Sequence, residues 1–174
     1  MFLIRDFVID DLDSLINIYK DAVEKFKIEK TYQWKEGYPS LEDIYNDYQN
    51  HKILVCEYVS ENEKVLCGAI TCIFENEPDY EPGYDVKWIN REPYLTIHRV
   101  AVKKEFYGKG VASRLFNKAF ELCKEKNYWN VKIDTHEENY DMKKLLNKFG
   151  FVKCGIIKLR KKGEFREAFQ KVIE

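Results

Sequence analysis

His98-Arg-Val-Ala-Val-Lys-Lys-Glu-Phe-Tyr-Gly-Lys-Gly-Val-Ala-Ser-Arg-Leu115 decides how the chain is read. Tyr94 to Val102 is almost continuously apolar and reads as a strand. A turn with Gly108 and Gly110 follows it. A long helix then leaves, with Val111, Leu115, Ala119 and Leu122 beside Ala112, Phe116, Phe120 and Cys123. That stripe is broad enough to pack across a sheet. Strand, glycine turn and helix together make an anion site. The first N–H groups of a helix have no acceptor inside it, and the helix dipole adds partial positive charge there. Glycines let a phosphate come close to the backbone. The spacing lacks the third glycine of the dinucleotide fingerprint and the Gly-Lys-Ser/Thr ending of a nucleoside-triphosphate loop. On spacing alone, a phosphate site and a plain turn are equally good readings.

Outward from this segment, strands and helices alternate, which argues for an α/β layer architecture. Upstream, Phe2 to Val8 reads as a first strand. Asp10 can cap a helix whose face carries Leu12, Leu15, Ile16, Tyr19, Ala22, Val23 and Phe26. A second helix begins after Pro39, with Ser40 and Asp43 as a capping box and Leu41, Ile44, Tyr45 and Tyr48 as its stripe. Ile53–Val59 and Val65–Phe74 form a hairpin across Ser60–Lys64. Residues 75–93 are acidic, contain Pro78, Pro82, Gly83 and Pro93, and read as a long loop. Downstream, Val131 to Asp134 is a strand. Met142, Leu145, Leu146 and Phe149 mark a short helix closed by Gly150. Phe151–Leu159 and Phe165–Ile173 make a last hairpin.

The 174 residues suit a single domain, 1–174. With 45% hydrophobic residues and 29 basic against 30 acidic side chains, the chain is neither disordered nor built around a nucleic-acid groove. No apolar run has the length of a membrane span. Arg5 and Asp6 interrupt Met1-Phe-Leu-Ile, and no small-residue cleavage site follows, so a cytoplasmic location is expected. Cys56, Cys67, Cys72, Cys123 and Cys154 are odd in number and widely spaced. They read as reduced core residues, with no disulfide framework and no metal site.

Val100-Ala-Val102 followed by Phe106-Tyr-Gly-Lys-Gly-Val-Ala112 and Leu115 resembles the acetyl-CoA motif of the GNAT superfamily of N-acetyltransferases. Asp134-Thr-His-Glu-Glu-Asn139-Tyr-Asp-Met142 and Leu145-Leu-Asn-Lys-Phe-Gly150-Phe151 resemble its fifth strand, fourth helix and closing Gly-Phe. The resemblance implies a mixed, largely antiparallel sheet of six or seven strands, flanked by about four helices and splayed between its fourth and fifth strands. It implies acetyl-CoA as cosubstrate, no metal, and direct transfer to a primary amine on a small molecule or peptide. From the charge balance and the absence of a long apolar run, no nucleic-acid or membrane partner is expected, and the chain is expected to be a monomer or homodimer.

Carried over by position, the main chain of Val100, Ala101 and Val102 pairs with the pantetheine arm. Tyr107, Gly108, Lys109, Gly110, Val111, Ala112 and Ser113 hold the pyrophosphate, and Asn139, Met142 and Lys143 flank the thiol end. Two positions depart from the family. Glu105 stands where Arg or Gln is usual, with Lys103, Lys104, Lys109 and Arg114 near it to offset the charge. Leu146 stands where many members place the tyrosine that protonates the departing thiolate, and Tyr140 is the nearest phenol.

Direct transfer needs a group to take the amine's proton. His98 fits because an imidazole's reference pKa lies near neutrality, and it also fits a structural role within the sheet. Glu92, before the strand, and His136, after the next one, are the alternatives, each equally readable as a loop residue. Trp34, Glu36 and Tyr38 lie where the family forms its acceptor wall, and rings with one carboxylate suit an organic amine. They also fit ordinary packing between two helices. A catalytically idle acyl-CoA-binding or regulatory module, and an unrelated nucleotide-phosphate-binding protein, are the rival readings.

Overall fold

The computed structural model describes residues 1–31, 33–81 and 84–174, so Pro82 and Gly83 lie outside the described residues. It contains β1 (Phe2–Asp6), α1 (Leu12–Glu29), α2 (Leu41–Asn50), β2 (Lys52–Val59), β3 (Lys64–Ile73), β4 (Asp85–Val86), β5 (Tyr94–Val102), α3 (Val111–Glu125), β6 (Asn130–Thr135), α4 (Tyr140–Lys148), β7 (Val152–Lys158) and β8 (Phe165–Val172). The strands follow the order β1-β2-β3-β5-β6-β8-β7-β4 in one mixed, mostly antiparallel sheet. The expected six or seven strands become eight because the two-residue β4 pairs with Gly155 and Ile156. None of the helices is long and apolar enough to cross a membrane among the described residues.

The chain divides into two compact units. The first is Met1–Cys72 with His98–Ala119. Its β1, β2 and β3 are antiparallel neighbours. Strand periodicity sends Ile53 and Val55 to one face, where Leu15, Ile18, Tyr19, Ala22 and Phe26 of α1 and Ile44 of α2 cover them. Each such side chain contributes about 1.5–3 kcal/mol by leaving water. Gly68 of β3 gives α3 its seat: a Cβ there would stand 2.5 Å from Val111 Cγ1 and 3.1 Å from the Ala101 carbonyl oxygen.

Two local expectations need correction. Asp10 does not cap α1. Asp11 precedes the helix, and its carboxylate accepts the Val8 N–H and two bonds from Arg5. The Ser40–Asp43 capping box forms with reciprocal bonds of 3.1 and 2.8 Å. The α2 stripe differs, however: Leu41, Tyr45 and Tyr48 are exposed, and the buried residues are Ile44 and Asp47.

The second unit is Ile73–Ile97 with Phe120–Glu174. Here β6, β8, β7 and β4 are antiparallel neighbours, and β5 joins β6 in parallel. That parallel ladder covers only Tyr94–Thr96 against Asn130–Lys132. Segment 75–93 is anchored more firmly than its acidic, proline-bearing sequence predicts. Tyr80 is fully buried and donates its hydroxyl to Asp134 at 2.7 Å. Trp88 donates to the Tyr80 carbonyl, and Ile89 N–H to Gln170. Two of the loop's acids also have structural jobs, Glu77 at the start of the Pro78–Tyr80 turn and Asp79 beside Arg160.

Candidate active site

In the first unit, β5 runs into a 3-10 turn, Lys104–Phe106, and then into Gly108 and Gly110 at φ of +74° and +76°. Glycine adopts this left-handed backbone without penalty. A Cβ at Gly108 would meet nothing within 4 Å, and one at Gly110 would meet only Arg114 Nη1. The turn is thus an open cradle at the start of α3. Arg114 ties it shut from below, donating Nη1 to the carbonyls of Lys109 and Gly110, both at 3.1 Å. Within it, the Tyr107 and Lys109 N–H groups donate to Lys104 and Phe106 carbonyls at 3.2 Å. Val111 and Ala112 open the helix, whose first-turn N–H groups have no acceptor inside it.

Glu105 is largely exposed and faces Lys103 at 3.9 Å, so the offsetting cation is its near neighbour. Beside the turn opens a hollow of about 620 Å³, with Phe2, Tyr58 and Phe106 as its aromatic wall and Lys103 and Lys109 at its edge.

Within β5, Arg99 has a φ of +51°. A left-handed residue inside a strand is the backbone signature of a bulge, and bulges re-aim neighbouring groups. Arg99 Nη1 stands 3.0 and 2.8 Å from the two carboxylate oxygens of Asp47, and Thr71 donates its hydroxyl to the same carboxylate at 2.9 Å. Burial pushes the Asp47 carboxyl up, and Arg99, Thr71, His51 and His98 pull it back. Burial works against the Arg99 charge, but Tyr38, Asp47, Tyr19 and Asp43 hold its pKa above the usual value. His98 is half-buried and belongs to this electrostatic cluster through Asp47.

The three residues expected at an acceptor wall separate. Trp34 is buried and packs edge-on against Tyr19, Phe26 and Tyr38. Tyr38 is half-buried with the Arg99 guanidinium 5.6 Å from its ring centre, while Glu36 is exposed.

In the second unit, Asn139 is buried and caps α4, its side chain accepting the Met142 N–H at 3.1 Å. Met142 is half-buried, and Lys143 stands 3.3 Å from Glu167. Leu146 is fully buried, as its place on a helical stripe predicts, whereas Tyr140 is exposed at the first residue of α4. His136 Nδ1 accepts the Glu138 N–H at 3.2 Å. Glu92 is exposed and donates its own N–H to Asn90.

Lys132 lies in the strand expected over Val131 to Asp134, where a lysine at an alternate position points to solvent, yet it is completely buried. Its ammonium lies 4.2 and 3.8 Å from the ring centres of Trp88 and Tyr94, and burial pulls its pKa down to about 8. Asp47, Thr71 and Arg99 were also missed. The available signal was a charge at the helical spacing of an apolar stripe, Asp47 three residues after Ile44, and an arginine inside an apolar strand.

The comparisons with known proteins bear on this geometry. A family model described as the acetyltransferase (GNAT) family matches residues 14–151. A solved GNAT-family acetyltransferase from Streptococcus agalactiae is 29% identical, with a TM-score of 0.78, over 99% of this chain and 96% of that one. A Bacillus subtilis protein named for alanine N-acetylation of ribosomal protein bS18 is 34% identical over 76 residues, 44% of this chain. An uncharacterized N-acetyltransferase of Methanocaldococcus jannaschii is 25% identical over 90% of this chain. The chain spans 50% and 63% of the lengths of these two curated relatives. With the matched family model reaching across most of the chain, and with the glycine turn, the short parallel ladder and the α4 cap all in place, the chain belongs to the acetyltransferase (GNAT) family.

Proposed function

We propose that residues 1–174 act as one cytoplasmic N-acetyltransferase domain that moves the acetyl group of acetyl-CoA to a primary amine by direct attack. The observation that carries this reading is the open two-glycine cradle at the start of α3. Gly108, Gly110, Val111 and Ala112 bind the pyrophosphate through backbone N–H groups, helped by the helix dipole. Ser113 completes the first turn of that helix. Tyr107 and Lys109 shape the cradle, since their N–H groups are engaged inside it. The main chain of Val100, Ala101 and Val102 takes the pantetheine arm, and Met142 and Lys143 flank it together with Asn139.

In the transfer, the free amine attacks the thioester carbonyl. The Val100 N–H stabilises the oxyanion, the C–S bond breaks and the thiolate of CoA leaves. The amine's proton passes first to a base, directly or through water. His98, half-buried on β5 beside Arg99 and Val100, is the preferred base by its position on that strand. Glu92 is exposed, and His136 has Nδ1 engaged, so both are weaker choices. A thiolate is a good leaving group, so Leu146 costs little as a replacement for an acid. Tyr38 and Glu36 line the acceptor side, with Trp34 as the packing behind Tyr38. The acceptor is a small-molecule or peptide amine, and the name of the B. subtilis relative, for alanine N-acetylation of a ribosomal protein, supports testing alanine-terminated peptides.

Thiol release from acetyl-CoA, measured against a panel of amines, polyamines, amino acids and alanine-terminated peptides, tests this. Release that depends on one amine class is the expected result. Tight acetyl-CoA binding with no release for any amine identifies an idle acyl-CoA-binding module instead.

A further inference from the structure

β5 is held in an uncommon conformation at Arg99. A bulky residue at a φ of +51° costs on the order of 1–3 kcal/mol and persists only where its surroundings over-determine it. Those surroundings come from three elements of the first unit. Asp47 of α2, 1% exposed, grips Nη1 with both carboxylate oxygens at 3.0 and 2.8 Å. Thr71 of β3, fully buried, locks that carboxylate at 2.9 Å. Asp43, one turn earlier on α2, stands 3.8 Å from Nη2, and Tyr38 covers the guanidinium. A buried ion pair adds little net stability over apolar residues of the same size. Stability alone therefore does not account for a two-oxygen grip on Nη1 of a side chain whose buried Nε has no hydrogen-bond partner among the described residues.

We propose that Asp47 is a positioning residue for acetyl transfer: with Thr71 it holds Arg99 in the left-handed conformation, and so aims the Val100 N–H at the thioester oxygen. This rests on the acetyl-transfer reading, in which Val100 serves that oxygen. An oxyanion donor acts only over a narrow range of distance, and losing one costs about 10²–10³-fold in kcat. Releasing the clamp lets residue 99 relax to extended backbone and swings the following peptide away.

The test separates backbone from side chain. Two double variants, Asp47→Ala with Arg99→Ala and Asp47→Ala with Arg99→Gly, both remove the clamp without leaving a lone buried charge. Glycine takes a φ of +51° freely, and alanine does not. The Ala/Ala pair is expected to lose about a hundredfold in kcat with the KM for acetyl-CoA within about threefold. The Ala/Gly pair is expected to regain about tenfold of that loss. Equal kcat for the two pairs overturns the proposal, and a rise confined to the amine KM would move Arg99 to acceptor binding. If either pair fails to fold, Asp47→Asn serves, since it keeps the side chain's size. A kcat about tenfold down with an unchanged acetyl-CoA KM supports the clamp, and wild-type kcat refutes it. A wild-type chain that binds acetyl-CoA but acetylates no amine overturns the functional reading, and the positioning role with it. A wild type that turns over beside equal double variants overturns the positioning role alone.

Discussion

Gly68→Ala should loosen the seat of α3. The added methyl would lie 2.5 Å from Val111 Cγ1, 3.1 Å from the Ala101 carbonyl oxygen and 3.4 Å from Leu115 Cδ1. The 2.5 Å contact is shorter than real Cβ contacts and the 3.1 Å one is against backbone, so Val111, or the helix that carries it, must shift. Overpacking of this kind costs about 1–3 kcal/mol. For a chain of this size each kcal/mol lowers Tm by about 2–4 °C, which places the variant roughly 2–12 °C below wild type in a thermal melt. Val111 is also the first residue of α3, so acetyl-CoA affinity should fall in the same variant. Val111→Ala removes the closest clashing atom. In a double-mutant cycle the pair should show a compensating coupling of about 1 kcal/mol or more. A Tm within 1 °C of wild type (roughly the shift of a few tenths of a kcal/mol), or a cycle with no coupling, would refute the claim that Gly68 is required by the closeness of α3.

Gly110→Asp places a carboxylate and a strained φ at the cradle, and calorimetry should show acetyl-CoA binding weakened by about a hundredfold, the order set by a like charge at ~4–5 Å in a partly shielded site. Tyr140→Phe should keep kcat within about tenfold, because the phenol is exposed and the thiolate leaves unaided; a thousandfold loss with folding and acetyl-CoA affinity intact would make Tyr140 the acid. Lys132→Met should change the pH dependence of stability. The folded-state pKa of about 8 lies below the ordinary 10.5, so the unfolded chain binds more protons between those values, and wild-type stability rises there relative to the variant by on the order of 3 kcal/mol. Chemical denaturation of both proteins at pH 7, 9 and 10.5 checks it, and parallel curves would show that Lys132 titrates normally.

Much of the fold was legible because its signals are local. Tyr94–Val102 is found as a strand with the expected ends, since its apolar run is bounded by Pro93 and the charged Lys103-Lys-Glu. The Ser40–Asp43 box and Gly150 at a φ of +73° mark helix ends through contacts three or four residues apart. Segment 75–93 is the long loop its sequence predicts, apart from the Pro78–Tyr80 turn and β4, but its anchoring is not legible, for the opposite reason. Its acids and prolines speak for solvent, while Tyr80 and Trp88 anchor it to partners more than 50 residues away or to each other. An aromatic pair spaced along an acidic stretch was the available sign.

The candidate site divides along the same line. The anion cradle needs only what one contiguous segment supplies: two residues able to take positive φ, a helix start, and a strand to aim them. A reader of the sequence can therefore place the two-glycine turn and the helix start, found at Gly108, Gly110 and Val111. The buried charges are different, because a charge is tolerated inside only with its partner. The spacing of Asp47 from Ile44 puts it on the apolar stripe, but the partner that makes its burial tolerable, Arg99, lies 52 residues on, and the alternation around Lys132 points to solvent until Trp88 and Tyr94 close over it. The α2 stripe was misassigned to Tyr45 and Tyr48 for this reason: hydrophobicity ranked a tyrosine as inside and an aspartate as outside, and the ion pair reversed the order. The two-glycine turn is thus written in neighbours along the chain, and the grip of Asp47 on Arg99 in a pair that only folding brings together.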